Sequence, residues 1–198
     1  MQKGDSKFFE YFFLFVTMII DPTVIVGACM LVMIITKNKA KSFVMIIFIL
    51  LNSFLAAALK AYDSDPRPFW TNPDVKSIGF YCPIEYGNPS GHSWFSAVFG
   101  FGILLDYRGA GNNNINIWIS IAAVILMPLS RMYLGAHSLN QVLEGVLLGL
   151  GMCLLYVIIL KSLIFKFLSE FNKTMTWKYV IGVLHVLYFI PFLVNLNE

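Results

Sequence analysis

The chain has 198 residues, of which 58% are hydrophobic, 16% aromatic and only 13% charged, with a formal net charge of +3. A soluble globular domain carries about 25% charged residues, so this composition excludes one and makes the bilayer the expected solvent. The small positive excess is spread among loops and gives no reason to expect nucleic acid as a partner.

Taken in order, apolar stretches run over Phe8–Ile35, Phe43–Leu59, Trp94–Leu105, Ile115–Leu129, Val142–Leu160 and Tyr179–Val194. Asn, Pro, Gly and charged residues separate them, which predicts an all-α polytopic bundle of about six transmembrane helices forming a single domain over residues 1–198. Asp21-Pro22 interrupts the first stretch. One long helix kinked at Pro22 is the preferred reading, and a surface-lying helix followed by a short span is the other. No small-residue cleavage pattern follows this stretch, so it is expected to stay. Cys29, Cys82 and Cys153 cannot all pair, and two fall inside apolar stretches, so neither a disulfide framework nor a metal site is expected.

Loops rich in Lys and Arg remain cytoplasmic. Lys37, Lys39, Lys41, Arg108, Lys161, Lys166, Lys173 and Lys178 fall on alternate connections, which assigns that face to the cytoplasm. The sequon Asn172-Lys173-Thr174 lies on it and is expected to carry no glycan.

Three clusters share the opposite face. Lys60 is followed, after six residues, by Arg67-Pro68; Pro89-Ser90-Gly91-His92 opens an apolar stretch; Ser130-Arg131 precedes His137 by a short turn. Hydrolysis of a phosphate ester needs cations for the oxyanion, an aligned nucleophile and a proton donor for the leaving oxygen. These clusters contain each part. A helix end and the Pro66-Arg67-Pro68 turn can return Arg67 beside Lys60, and a helix opening at Ser90-Gly91 exposes backbone N–H groups to an anion. Each piece alone reads more simply: snorkelling cations, a Ser90 N-cap and an interfacial His137. Their joint occurrence, in order and on one face, favours chemistry.

With these residues in place, the chain resembles the type 2 phosphatidic acid phosphatase superfamily, whose three-part signature falls here within residues 60–145. Arg67-Pro68-Phe69-Trp70, Ser130-Arg131-Met132-Tyr133-Leu134 and His137 followed by Gln141-Val142 make it most similar to the glucose-6-phosphatase branch. The resemblance implies that His137 attacks phosphorus and that His92 protonates the leaving oxygen, then activates water. It also implies that Lys60, Arg67, Ser90, the Gly91 amide and Arg131 hold the phosphate oxygens, without metal or organic cofactor. Many members place an Asp four residues after the nucleophile to orient it. Here that position is Gln141, which can accept the imidazole N–H but brings no charge, so Gln141→Asp is expected to keep or raise activity.

The expected function is a phosphomonoesterase acting on a sugar phosphate or related ester at the lumenal face of the endoplasmic reticulum or another endomembrane. A lipid phosphate substrate is the alternative. A weakly active or inactive subunit that retains the fold within a membrane complex is a further one. Gly145, Gly149 and nearby Gly151 are expected to pack against another helix. Phe69, Trp70, Tyr81, Tyr86 and Trp94 suit an interfacial belt, Asp21 suits a helix cap, and His185 reads as a hydrogen-bonded helix residue.

Overall fold

The computed structural model describes residues 7–35, 39–79, 83–104, 113–160, 162–164, 166, 179, 182 and 183. Tyr81, Cys82, Asn172, His185 and most of the last apolar stretch lie outside the described residues. The described residues are almost all helical: α1 (Lys7–Ile19), α2 (Pro22–Ile35), α3 (Lys39–Asp63), the short α4 (Pro68–Thr71), α5 (Gly91–Ala97), α6 (Asn113–Tyr133) and α7 (Leu139–Leu155). π-helical segments extend α5 over Val98–Leu104 and α7 over Tyr156–Leu160.

Among the described residues, three helices are long and apolar enough to span a membrane. They cover Phe43–Thr71, Ile115–Tyr133 and Leu139–Leu160, and a fourth span results if the bent α1–α2 pair crosses as one. The protein is an integral membrane helix bundle. The first apolar stretch is two helices bent by 50°, with Pro22 at the first position of α2, where its missing N–H costs nothing. Asp21 caps that start by accepting the Thr23 N–H at 2.8 Å. The Trp94–Leu105 stretch opens at Gly91 and passes from α to π geometry.

Lipid offers no hydrophobic drive between helices, so close packing and buried polar bonds hold such a bundle together. Outward faces carry Phe8, Phe15, Phe54, Leu147 and Ile158, all well exposed as lipid-facing side chains should be. Inside, Val44, Met45, Phe48, Ile49, Val98, Met127 and Tyr156 are buried, with the Phe48 and Tyr156 rings 4.6 Å apart. Trp94 also belongs to this core: it is 2% exposed and donates its indole N–H to Asn52 Oδ1 at 2.7 Å. It is therefore not part of an interfacial belt, whereas Phe69, Trp70 and Tyr86 do form an edge-to-face cluster beside the loop. Cys29 and Cys153 are buried as small core residues, and the Cys153 thiol donates to the Ala97 carbonyl at 3.5 Å.

The tightest crossing joins α5 to α7. A Cβ on Gly145 would meet the Ser90 carbonyl oxygen at 2.5 Å, and one on Gly149 would collide with that of Trp94. A Cβ on Gly151 would meet nothing within 4 Å, so this third glycine stands off the interface. Gly149→Ala is accordingly expected to cost about 1–3 kcal/mol through overpacking and to lower the thermal midpoint in detergent. Gly151→Ala should leave the midpoint unchanged or slightly raised; equal effects of the two would mean that the crossing is looser than described.

Candidate active site

At one end of the bundle a cavity of about 250 Å³ gathers Lys60, Arg67, Arg131, His92 and His137. The first cation stands in the last turn of α3, the second immediately before α4, and Arg131 in the last turn of α6. The turn from α6 to α7 brings His137 alongside. Gly135 takes a left-handed φ of 70°, and the Ala136 and His137 N–H groups fold back onto the Arg131 carbonyl at 3.0 and 3.4 Å. Ser138 then caps α7 through a reciprocal arrangement with Gln141.

Lys60 and Arg67 meet as expected, and what joins them is Glu85. One carboxylate oxygen lies 2.7 Å from Lys60 Nζ and 3.3 Å from Arg67 Nη2, while Arg67 Nε donates to the Glu85 carbonyl at 2.8 Å. Arg67 is 1% exposed, so these bonds, with one to the Ala136 carbonyl at 3.2 Å, satisfy a guanidinium removed from water.

The His137 ring is held on both sides. Nδ1 lies 2.9 Å from the Gly87 carbonyl oxygen, which can only accept, so Nδ1 carries the hydrogen. Nε2 therefore holds the lone pair and accepts from Arg67 Nη1 at 3.3 Å. His137 lies in the turn between spans. Burial comes first in lowering its pKa well below 6.5, with the positive charges of Arg131, Arg67 and Lys60 acting in the same direction. Gln141 Oε1 stands 3.3 Å from the same Nδ1, confirming the one-turn reach, although the Gly87 carbonyl is the nearer acceptor.

His92, in the first turn of α5, has its Nε2 3.4 Å from Asp21 Oδ2. Ser90 and Gly91 stand differently from the other expected residues. Neither lines the cavity. Ser90 is fully buried and accepts from the Ser93 hydroxyl at 3.1 Å instead of capping α5, while a Cβ on Gly91 would lie 3.9 Å from Lys60 Nζ. Glu144 does not reach His137; it accepts from Asn88 Nδ2 at 2.9 Å, and the same amide group donates to Asp63.

Four residues of this site escaped the sequence reading in whole or part: Asp21 as a neighbour of His92, Glu85, Gly87 and Asp65, whose carboxylate accepts from Gln141 Nε2 at 2.6 Å. Only Asp21 carried a signal, as an ionisable group inside an apolar stretch. Among the described residues no cluster of His, Cys, Asp or Glu could hold a metal ion.

Comparison with known proteins agrees with this architecture. The glucose-6-phosphatase catalytic subunits 1 of Rattus norvegicus and Mus musculus are each 32% identical over 108 residues, covering 43% of this chain and 30% of theirs. The match thus spans less than a third of those relatives' length. In fold, the chain is similar to the crystal structure of a transmembrane PAP2-type phosphatidylglycerolphosphate phosphatase from Bacillus subtilis. The TM-score is 0.57 at 21% identity, over 86% of this chain and 80% of that one. The family model of the PAP2 superfamily matches residues 41–165, a stretch that contains all three clusters, and the chain belongs to that superfamily.

Proposed function

We propose that this protein is a membrane phosphomonoesterase that works through a phosphohistidine on His137 and acts on a sugar phosphate or related ester at the lumenal face of an endomembrane. The observation that carries the reading is the His137 ring: its Nδ1–H is engaged by Gly87, and its Nε2 lone pair lies beside Arg67 at the cavity that Lys60, Arg131 and His92 also line. A neutral, oriented imidazole among fixed cations is what attack on a phosphate dianion requires.

The exposed Glu85 carboxylate, bridging Lys60 and Arg67, marks where an oxyanion is stabilised, and an incoming phosphate takes its place. Arg131, which lines the same cavity, completes the cradle. His137 Nε2 then bonds to phosphorus as the P–O ester bond breaks, and His92 gives its proton to the departing oxygen. In the second half, His92 takes a proton from water, whose oxygen displaces the imidazole and releases inorganic phosphate. Asp21 holds His92 Nε2, so Nδ1 is the nitrogen left for these transfers.

A lipid phosphate is the second reading, favoured by the apolar side chains of Leu14, Met18 and Val24 that line the cavity from α1 and α2. The test is hydrolysis of glucose 6-phosphate, phosphatidic acid and a sphingoid-base phosphate by the purified protein, with vanadate as inhibitor and covalent capture of phosphorus label. Turnover of the sugar phosphate with an acid-labile, alkali-stable label is the expected result. Turnover confined to the lipids selects the second reading, and no turnover or label with any of the three overturns both.

A further inference from the structure

We propose that Asp65 is a positioning residue for His137, acting through Gln141 and supplying the negative charge that the amide lacks; this rests on His137 being the nucleophile. Both hydrogens of the Gln141 amide are committed, one to Asp65 Oδ2 at 2.6 Å and one to the Pro66 carbonyl at 2.9 Å. Carboxylate and carbonyl oxygens can only accept, so the NH₂ group must face them. Gln141 Oε1 is thereby turned toward His137 Nδ1 at 3.3 Å, with the Ser138 N–H as its other partner at 3.2 Å. Without such an anchor the amide could rotate and present its NH₂ to the ring.

The backbone of Asp65 supports the same ring by a second route. Its carbonyl accepts the Gly87 N–H at 2.8 Å, and the Gly87 carbonyl is the other acceptor of the His137 Nδ1–H at 2.9 Å. The two routes are packed together: a Cβ on Gly87 would meet Gln141 Nε2 at 2.5 Å. Asp65 is itself exposed whereas Gln141 is 2% exposed. Its charge therefore reaches the buried ring chiefly by polarising the chain of hydrogen bonds, not directly through space. Positive charge grows on the imidazole as its lone pair bonds to phosphorus, and that is the moment at which the polarised amide helps.

Asp65 also reverses the expectation for Gln141→Asp. A carboxylate at 141 would face the Asp65 carboxylate where an amide now donates, so two acceptors would be opposed. Activity should fall, and it should return when the partner is changed as well: in Asp65→Asn/Gln141→Asp the new amide donates to the new carboxylate.

The experiment measures phosphoenzyme formation, KM and inhibition by inorganic phosphate for the full chain and for Asp65→Asn, Gln141→Asp and the double variant. Asp65→Asn should slow phosphoenzyme formation roughly 10–100-fold, the range that carboxylates orienting a histidine show in metal sites, with KM and inhibition by inorganic phosphate within about twofold of the unaltered protein. The double variant should be faster than Gln141→Asp alone. Unchanged phosphoenzyme formation in Asp65→Asn overturns the proposal, and so does a matching loss of affinity for inorganic phosphate, which would signify a general disturbance of the pocket. A double variant no faster than Gln141→Asp also overturns it, and this comparison holds whether or not Asp65→Asn folds alone. Failure of the unaltered protein to form any phosphoenzyme would instead sink the nucleophile assignment beneath it.

Discussion

His137→Ala is expected to abolish both phosphate release and covalent labelling, with a loss on the order of 10⁴-fold or more, as for other covalent nucleophiles. The other lining groups are placed for different tasks: Glu85 is bound to Lys60 and Arg67, Asp21 faces His92 Nε2, and the Thr17 hydroxyl is bonded to Ser130, which leaves Ser77 as the hydroxyl to watch. Quenched reactions with phosphorus-labelled substrate check this, and label retained by the variant would reveal another nucleophile. The depressed pKa of His137 adds a pH signature. In the folded protein the ring stays neutral well below pH 6.5, so phosphoenzyme formation should not be lost to protonation of His137 as the pH passes through 6.5. The unfolded chain binds that proton near 6.5 while the folded chain does not. Stability therefore declines on acidification from about 6.5 toward the folded value, and His137→Ala should remove this contribution.

His92→Ala should slow both half-reactions by about 10²–10⁴-fold, the range of general acid–base catalysis. An aryl phosphate separates the two steps, because its leaving oxygen needs no proton. With that substrate the variant should form phosphoenzyme at nearly the normal rate but hydrolyse it slowly, so label accumulates. Normal decay of the phosphoenzyme would remove His92 from the second step. Asp21 bears on the same experiment because it lies 3.4 Å from His92 Nε2, the nitrogen that the proposed mechanism does not use.

The helical membrane class and the three clusters were legible because each depends on local information. Long apolar runs define spans, while Lys60 with Arg67, and Arg131 with His137, are joined by turns short enough to predict convergence. The contacts between clusters were not legible. Glu85 meets Lys60 and Arg67 from a separate loop, and Asp65 finds Gln141 across 76 positions of sequence. Neither pairing leaves a periodicity or a motif. Trp94 was misplaced because an aromatic at the start of an apolar stretch looks the same whether it meets headgroups or a buried Asn52. Ser90 was expected to cap or to bind; its hydroxyl accepts from Ser93, where α5 lies against Gly145 of α7.

That packing has a mechanical consequence. The carbonyls of Ser90 and Trp94 rest on glycines of the helix whose first turn holds Gln141, so the mounts of the two histidines are braced by main chain against main chain. Flexible side chains can yield when lateral pressure or lipid thickness varies; a brace of this kind has almost nothing to compress. The spacing between the imidazoles is thereby expected to vary little with the surrounding bilayer, and the bend between α1 and α2 joins this braced unit at Asp21, where the carboxylate meets His92.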